Sequence, residues 1–180
     1  MCLLLPHKHQ ILVAMLKTIA ALALGITLYS CGKCKKLDCQ NDAGCSVLNG
    51  KATCTCKDFY EGERCDSEVR AAYYGQYTGK TTVTVSGVKF EGTIQFSLES
   101  YKGADNFKMV STSSNGSTTT WYCRLTSNND FTISGISDND IRSIEGSGTL
   151  SGSNLKASGN YTVVENGVSI KALYTINANK

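Results

Sequence analysis

Downstream of Tyr73, apolar and polar residues alternate with a period of two in run after run, and clusters of Ser, Gly, Asn and Asp separate the runs. Successive side chains of a strand point to opposite sides, so the pattern predicts half-buried β-strands. Eight are predicted, over residues 76–86, 89–99, 107–113, 117–126, 130–137, 141–150, 155–165 and 168–177. The connections between them are short, which makes successive strands antiparallel neighbours.

The alternation also names the inward side. Val83 and Val85, then Phe90, Ile94, Phe96 and Leu98, then Phe107 and Met109 recur in phase, as do Trp121, Cys123 and Leu125, and Phe131 and Ile133. Leu155, Tyr161 and Val163, and Ile170, Tyr174 and Ile176, complete the apolar face. An eight-stranded meander with one apolar face removes its exposed edges by closing on itself, so the expected fold is mainly β with a closed up-and-down barrel; an open sheet or two-layer sandwich is the alternative. Glycines inside the predicted strands, Gly92, Gly135, Gly148 and Gly159, permit the coiling that a small barrel demands.

Upstream the pattern changes. Residues 34–65 hold six cysteines, but Leu37, Val47, Leu48, Phe59 and Tyr60 are nearly their whole apolar supply. About 35 residues with so little to bury need crosslinks, each contributing roughly 2–4 kcal/mol. Six cysteines allow 15 pairings, and spacing alone does not choose among them. Asn49-Gly50, midway between Cys45 and Cys54, predicts a tight hairpin turn. Further upstream, Lys17 precedes an apolar run from Thr18 to Leu28, which is too short to span a bilayer and has the form of an export signal. Residues 1–30 are read as this leader, with Met15 as the expected start, and residues 31–33 as a linker.

Three resemblances rest on these residues. The spacing from Cys34 to Cys65, with Cys54-Thr55-Cys56 and Gly62 three residues before the last cysteine, resembles an EGF-like domain over residues 34–66. That resemblance implies the pairs Cys34–Cys45, Cys39–Cys54 and Cys56–Cys65. Leu28-Tyr29-Ser30-Cys31 resembles the lipobox of bacterial lipoproteins and implies a lipid on Cys31, hence a membrane-anchored protein outside the cytoplasm, in the periplasm or at the outer membrane or cell surface. Tyr29 is bulkier than that family prefers. The stretch from Gly146 to Leu155 followed by Tyr161 is similar in style to lipocalin-like domains, which implies a barrel over residues 73–180 but no particular binding residue.

Charge and chemistry narrow the function. The leader takes two of the 18 basic residues and none of the 15 acidic ones, so the remainder is nearly neutral, and beyond Lys33, Lys35 and Lys36 its Lys and Arg do not cluster as nucleic-acid binding requires. Both histidines, His7 and His9, fall in the leader, which removes imidazole-based catalysis and the commonest zinc sites. Gly32 and Lys33 stand where calcium-binding EGF-like domains place acidic and amide ligands, so no metal and no cofactor is expected. Glu91, Glu99, Asp105, Asp130, Asp138, Asp140, Glu145 and Glu165 fall in turns or on the polar face, and no enzyme is expected. Cys123, in phase with Trp121 and Leu125, reads as an inert buried thiol. The expected role is a non-catalytic surface binding or interaction protein with an unknown protein partner. The alternative is a carrier of a small apolar ligand inside the barrel, with Phe96, Trp121, Phe131, Tyr161 and Tyr174 as candidate pocket lining; a hydrolase ranks third.

Overall fold

The computed structural model describes residues 32–112, 116–137 and 141–180, with only the backbone of Arg142. The leader and Cys31 lie outside the described residues, as do Asp138 and Asp140. The chain divides into two compact units, one running up to Lys57 and including Glu61–Asp66, the other comprising Asp58–Tyr60 and Ser67–Lys180.

The first unit is built on a hairpin. Strands β1 (Gly44–Leu48) and β2 (Lys51–Thr55) pair antiparallel with Cys45 opposite Cys54. Asn49 and Gly50 both sit in the left-handed region, with φ of 51° and 76°, the requirement of the two-residue turn whose twist matches the flanking strands. Disulfides join Cys34 to Cys45, Cys39 to Cys54 and Cys56 to Cys65, across Cα separations of 5.8, 5.7 and 5.2 Å, all within the range an unstrained bridge spans. This pairing fits an EGF-like module. Cys65 is the one residue of the unit that is buried, among those described, so its order comes from crosslinks and from polar contacts such as Arg64 Nη2 to Asp38 at 2.6 Å and Asn41 Nδ2 to the Cys65 carbonyl at 2.7 Å.

Two short strands, β3 (Tyr60–Glu61), whose residues fall one in each unit, and β4 (Ser67–Glu68), pair with each other and precede a 3-10 helix of the second unit at Val69–Tyr73. Eight long strands come next: β5 (Gly75–Val85), β6 (Val88–Ser100), β7 (Asn106–Thr112), β8 (Thr118–Leu125), β9 (Asp130–Ser137), β10 (Ile141–Ser151), β11 (Asn154–Glu165) and β12 (Val168–Asn179). Each pairs antiparallel with its sequence neighbours, and β12 returns to pair with β5, from Val85 opposite Ala172 to Thr78 opposite Asn179. The result is the closed up-and-down barrel that alternation and the lipocalin-like resemblance implied, rather than the open sheet or sandwich.

The interior differs along the barrel axis. One half is solidly packed by Tyr77, Phe96, Leu98, Phe107, Met109, Leu125, Phe131, Leu150 and Leu155. Tyr77 stacks on Phe96 with ring centroids 5.5 Å apart, and Phe107 meets Phe131 edge-on at 5.2 Å. Each such ring contributes about 1.5–3 kcal/mol by burial. The 3-10 helix covers this end. Its Arg70, buried, donates from Nη1 to the carbonyls of Tyr101 and Asn106 and from Nε to Glu68 at 2.8 Å. Tyr77 Oη ties the helix down by donating to the Tyr73 carbonyl at 3.0 Å.

At the other end the same inward face is less covered. Val83 and Val85 are half-buried and Phe90 is exposed. The alternation placed Phe90 on the inward face, and it does face that way, opposite Val83, but it stands beyond the level at which the barrel is filled.

Candidate functional site

Above the packed half, inward side chains from all eight strands surround a cavity of about 250 Å³. Trp121 of β8, Tyr161 of β11 and Tyr174 of β12 form an aromatic wall, with Tyr174 6.4 Å from Trp121 and 6.2 Å from Tyr161 between ring centroids. Val83 and Ile94 face them from β5 and β6, and Ile136, Ile141 and Ile144 complete the apolar lining from β9 and β10. Thr81, Ser111 and Thr119 supply hydroxyls.

Close backbone approach makes room for these rings. Gly146 and Gly159 lie opposite each other on β10 and β11, and the Tyr174 hydroxyl sits where a side chain on Gly146 would go, 2.8 Å from the position of a Cβ on Gly159. The Phe131 ring occupies the corresponding space at Gly148. Here glycine serves clearance for an aromatic neighbour, in addition to the coiling expected of it.

Two irregularities in the ladder aim two of the isoleucines, Ile136 and Ile141. The register shifts between Tyr122 and Cys123, opposite β9, so that Ile133 and Ile136 both turn inward although they are three residues apart. A second shift between Ile141 and Ser143 does the same for Ile141 and Ile144. A bulge inserts one unpaired residue and re-aims the side chains beyond it. For Ile136 and Ile141 an apolar residue out of phase within an otherwise regular run was the available signal; Ile144 is in phase with Gly146, Gly148 and Leu150 and was open to strict alternation.

The wall is electrically quiet. Among the described lining residues there is no Lys, Arg, Asp, Glu or His. Burial raises the phenol pKa of Tyr161 and of Tyr174, the latter also through the nearby Cys123 thiol. Tyr174 Oη makes only a long contact, 3.5 Å, to the Glu145 carbonyl, and the buried Trp121 Nε1 has no acceptor. Cys123 is buried beside the wall, and burial raises its pKa above the ordinary thiol value, which keeps it protonated and unreactive.

Of the candidate pocket residues, the structure brings Trp121, Tyr161 and Tyr174 together at the cavity. It places Phe96 and Phe131 elsewhere, 2% and 1% exposed in the packed half. Both are inward, but they lie too close to the closed end to reach the cavity. A larger concavity, about 630 Å³, lies over Gly148 and Ala157 and is bordered by Thr132, Ser147, Lys156 and Ser158. It is shallow and open to solvent, so it could cover only one side of a ligand. No group of three potential metal-ligating acidic, Cys or His side chains occurs among the described residues.

Fold and cavity together define an eight-stranded antiparallel β-barrel that is sealed at one end and apolar inside at the other. No family model and no curated protein matches the chain. Among solved structures, EF1p2_mFAP2b bound to DFHBI is similar over 60% of this chain and 94% of its own, at 15% identity and a TM-score of 0.42.

Proposed function

We propose that this is an extracytoplasmic, lipid-anchored protein whose barrel binds one small, predominantly apolar molecule without transforming it. The cavity walled by Trp121, Tyr161 and Tyr174 carries the reading: at about 250 Å³ it falls just below the roughly 300–1,000 Å³ of pockets that enclose drug-sized ligands. Its hydroxyls and the unpaired indole N–H can orient a bound molecule, and the uncharged wall disfavours an ionised group, whose burial is costly. The cavity favours ligand carriage over the purely surface-interaction role. In this reading the disulfide module is a crosslinked spacer or adhesion element.

Three bridges support an oxidising compartment, and the lipobox resemblance at Leu28–Cys31 supports anchoring by a lipid on Cys31, with several acyl chains needed for stable attachment. Mass spectrometry of the protein from its native membrane tests the anchor directly; an unacylated Cys31 overturns it.

The chain contains a single tryptophan, and it stands in the cavity wall. Titration with the neutral fluorophore N-phenyl-1-naphthylamine should therefore give a saturable change in Trp121 emission, together with enhancement of the probe. Absence of a saturable change with this probe and with other apolar molecules of similar size sinks the ligand-binding reading.

A further inference from the structure

The apolar lining does not stop where the cavity does. Val83, in the wall, lies directly opposite Phe90, and the next inward pair along the β5–β6 hairpin is Val85 opposite Val88. On the adjacent β11–β12 hairpin Val163 faces Ile170, with Val168 nearer the turn. The two hairpins are joined by the β12–β5 ladder as far as Ala172 opposite Val85. Together they continue the inward face as one apolar track beyond the mouth, which ends at the β11–β12 turn where Glu165 lies opposite Val168. Val88, Phe90 and Val168 are 57%, 58% and 61% exposed, although most outward positions of the same segments are polar, with Lys89, Glu91, Ser169 and Lys171 against the apolar Val164 and Leu173. Contiguous apolar surface kept free in this way marks something that covers it.

Building on the ligand-binding reading, we infer that the ligand is a single-chain amphiphile that enters tail first, fills the cavity with the end of its chain and lies along Val85, Val88, Phe90 and Val168 with the rest. Continuity decides the occupant: the track begins at a residue of the cavity wall, so a molecule longer than the cavity meets apolar surface for its whole exit. The uncharged wall excludes a charged headgroup from the inner end. At the outer end Lys89, Lys171, Glu91 and Glu165 present both signs, so headgroup charge is not the basis of selection.

The test is displacement of N-phenyl-1-naphthylamine from the full-length mature protein by primary alcohols from hexanol to dodecanol. Affinity should rise by about fourfold per added methylene across the whole series. Phe90→Ser and Val168→Ser, at exposed positions whose replacement spares the core, should weaken dodecanol about tenfold and change hexanol by less than about twofold. A plateau after the shortest alcohols, with both variants silent, overturns the inference and leaves the cavity reading standing. Failure of the probe itself to bind removes both. Sedimentation of the ligand-free protein adds a separate check: a dimer that dissociates in Phe90→Ser would assign the track to a second copy, and binding of the protein to neutral phosphatidylcholine vesicles that is lost in the same variant would assign it to a bilayer. Either result overturns the inference.

Discussion

The Tyr174 hydroxyl occupies the space that a side chain on Gly146 would fill, two strands away across the barrel wall. Gly159, on the strand between them, is in register with both residues. A ring laid over glycines in neighbouring strands covers backbone that would otherwise be bare, and it fixes the position of the aromatic wall. The cavity's shape therefore depends on residues with no side chain.

Gly146→Ala tests this dependence. The added methyl would overlap Tyr174 Oη and come within 2.7 Å of the Ser158 carbonyl, and because the latter is backbone, rotation of Tyr174 alone cannot relieve the strain. We expect a loss of about 1–3 kcal/mol, read as a lower urea midpoint at unchanged m. Adding Tyr174→Phe should restore part of it. An unchanged midpoint would mean that the ring does not rest there.

Alternation made the strands legible because a barrel wall buries one face throughout its length. The run predicted over 155–165 is observed as Asn154–Glu165, and that over 130–137 as Asp130–Ser137. Periodicity tells which side a residue faces but not its height along the axis. That is why Phe96 and Phe131, assigned with Trp121 to one pocket, lie in the packed half, and why Phe90 faces inward yet remains exposed. Bulges break the phase, so Ile136 and Ile141 were not assigned to the cavity, and Ile144 went unassigned because Gly146 and Gly148 stand between it and Leu150 and leave β10 without an apolar alternation. The 3-10 helix at Val69–Tyr73 has no period of its own and is held by Arg70, a residue type that pattern reading assigns to the surface.

Burial of ionisable groups in the barrel sets its alkaline limit. Burial raises the Cys123 thiol above its ordinary pKa of 9.0. The same desolvation, with a smaller contribution from Cys123, raises Tyr174 above 10.0. Below pH 9 the folded and unfolded chains hold these protons equally. Above it the unfolded chain releases them first, so stability falls as pH rises, by about 1.4 kcal/mol per pH unit for each such group. Cys123→Ala should flatten the dependence between roughly pH 9 and 10 by about 1 kcal/mol, because the unfolded thiol is only half ionised at the start of that range, even if the variant is less stable overall. Equal slopes in the two proteins would show that the thiol ionises freely in the fold. Thiol-reactive reagents should modify native Cys123 no faster than the barrel opens.

Arg70 is the remaining element on which the closed end depends. Its side chain is 7% exposed, and its partner Glu68 is 34% exposed, so the pair is only partly screened by water. The guanidinium also satisfies the carbonyls of Tyr101 and Asn106, on either side of the β6–β7 turn, and lies 6.0 Å from the centre of the Tyr74 ring. One planar fork thus links the 3-10 helix to the loop it covers. Arg70→Met keeps much of the bulk but strands two carbonyls and a carboxylate, and should cost about 2–3 kcal/mol. Arg70→Lys preserves the charge and loses the fork, so it should recover less than half of that loss. Denaturant unfolding measures both, and the cavity at the opposite end provides the control: probe affinity should stay within about twofold of wild type while the midpoint falls, since distant sites without shared partners act independently. If the midpoints of Arg70→Met and wild type coincide, the helix closes the barrel by apolar packing alone and the guanidinium is dispensable.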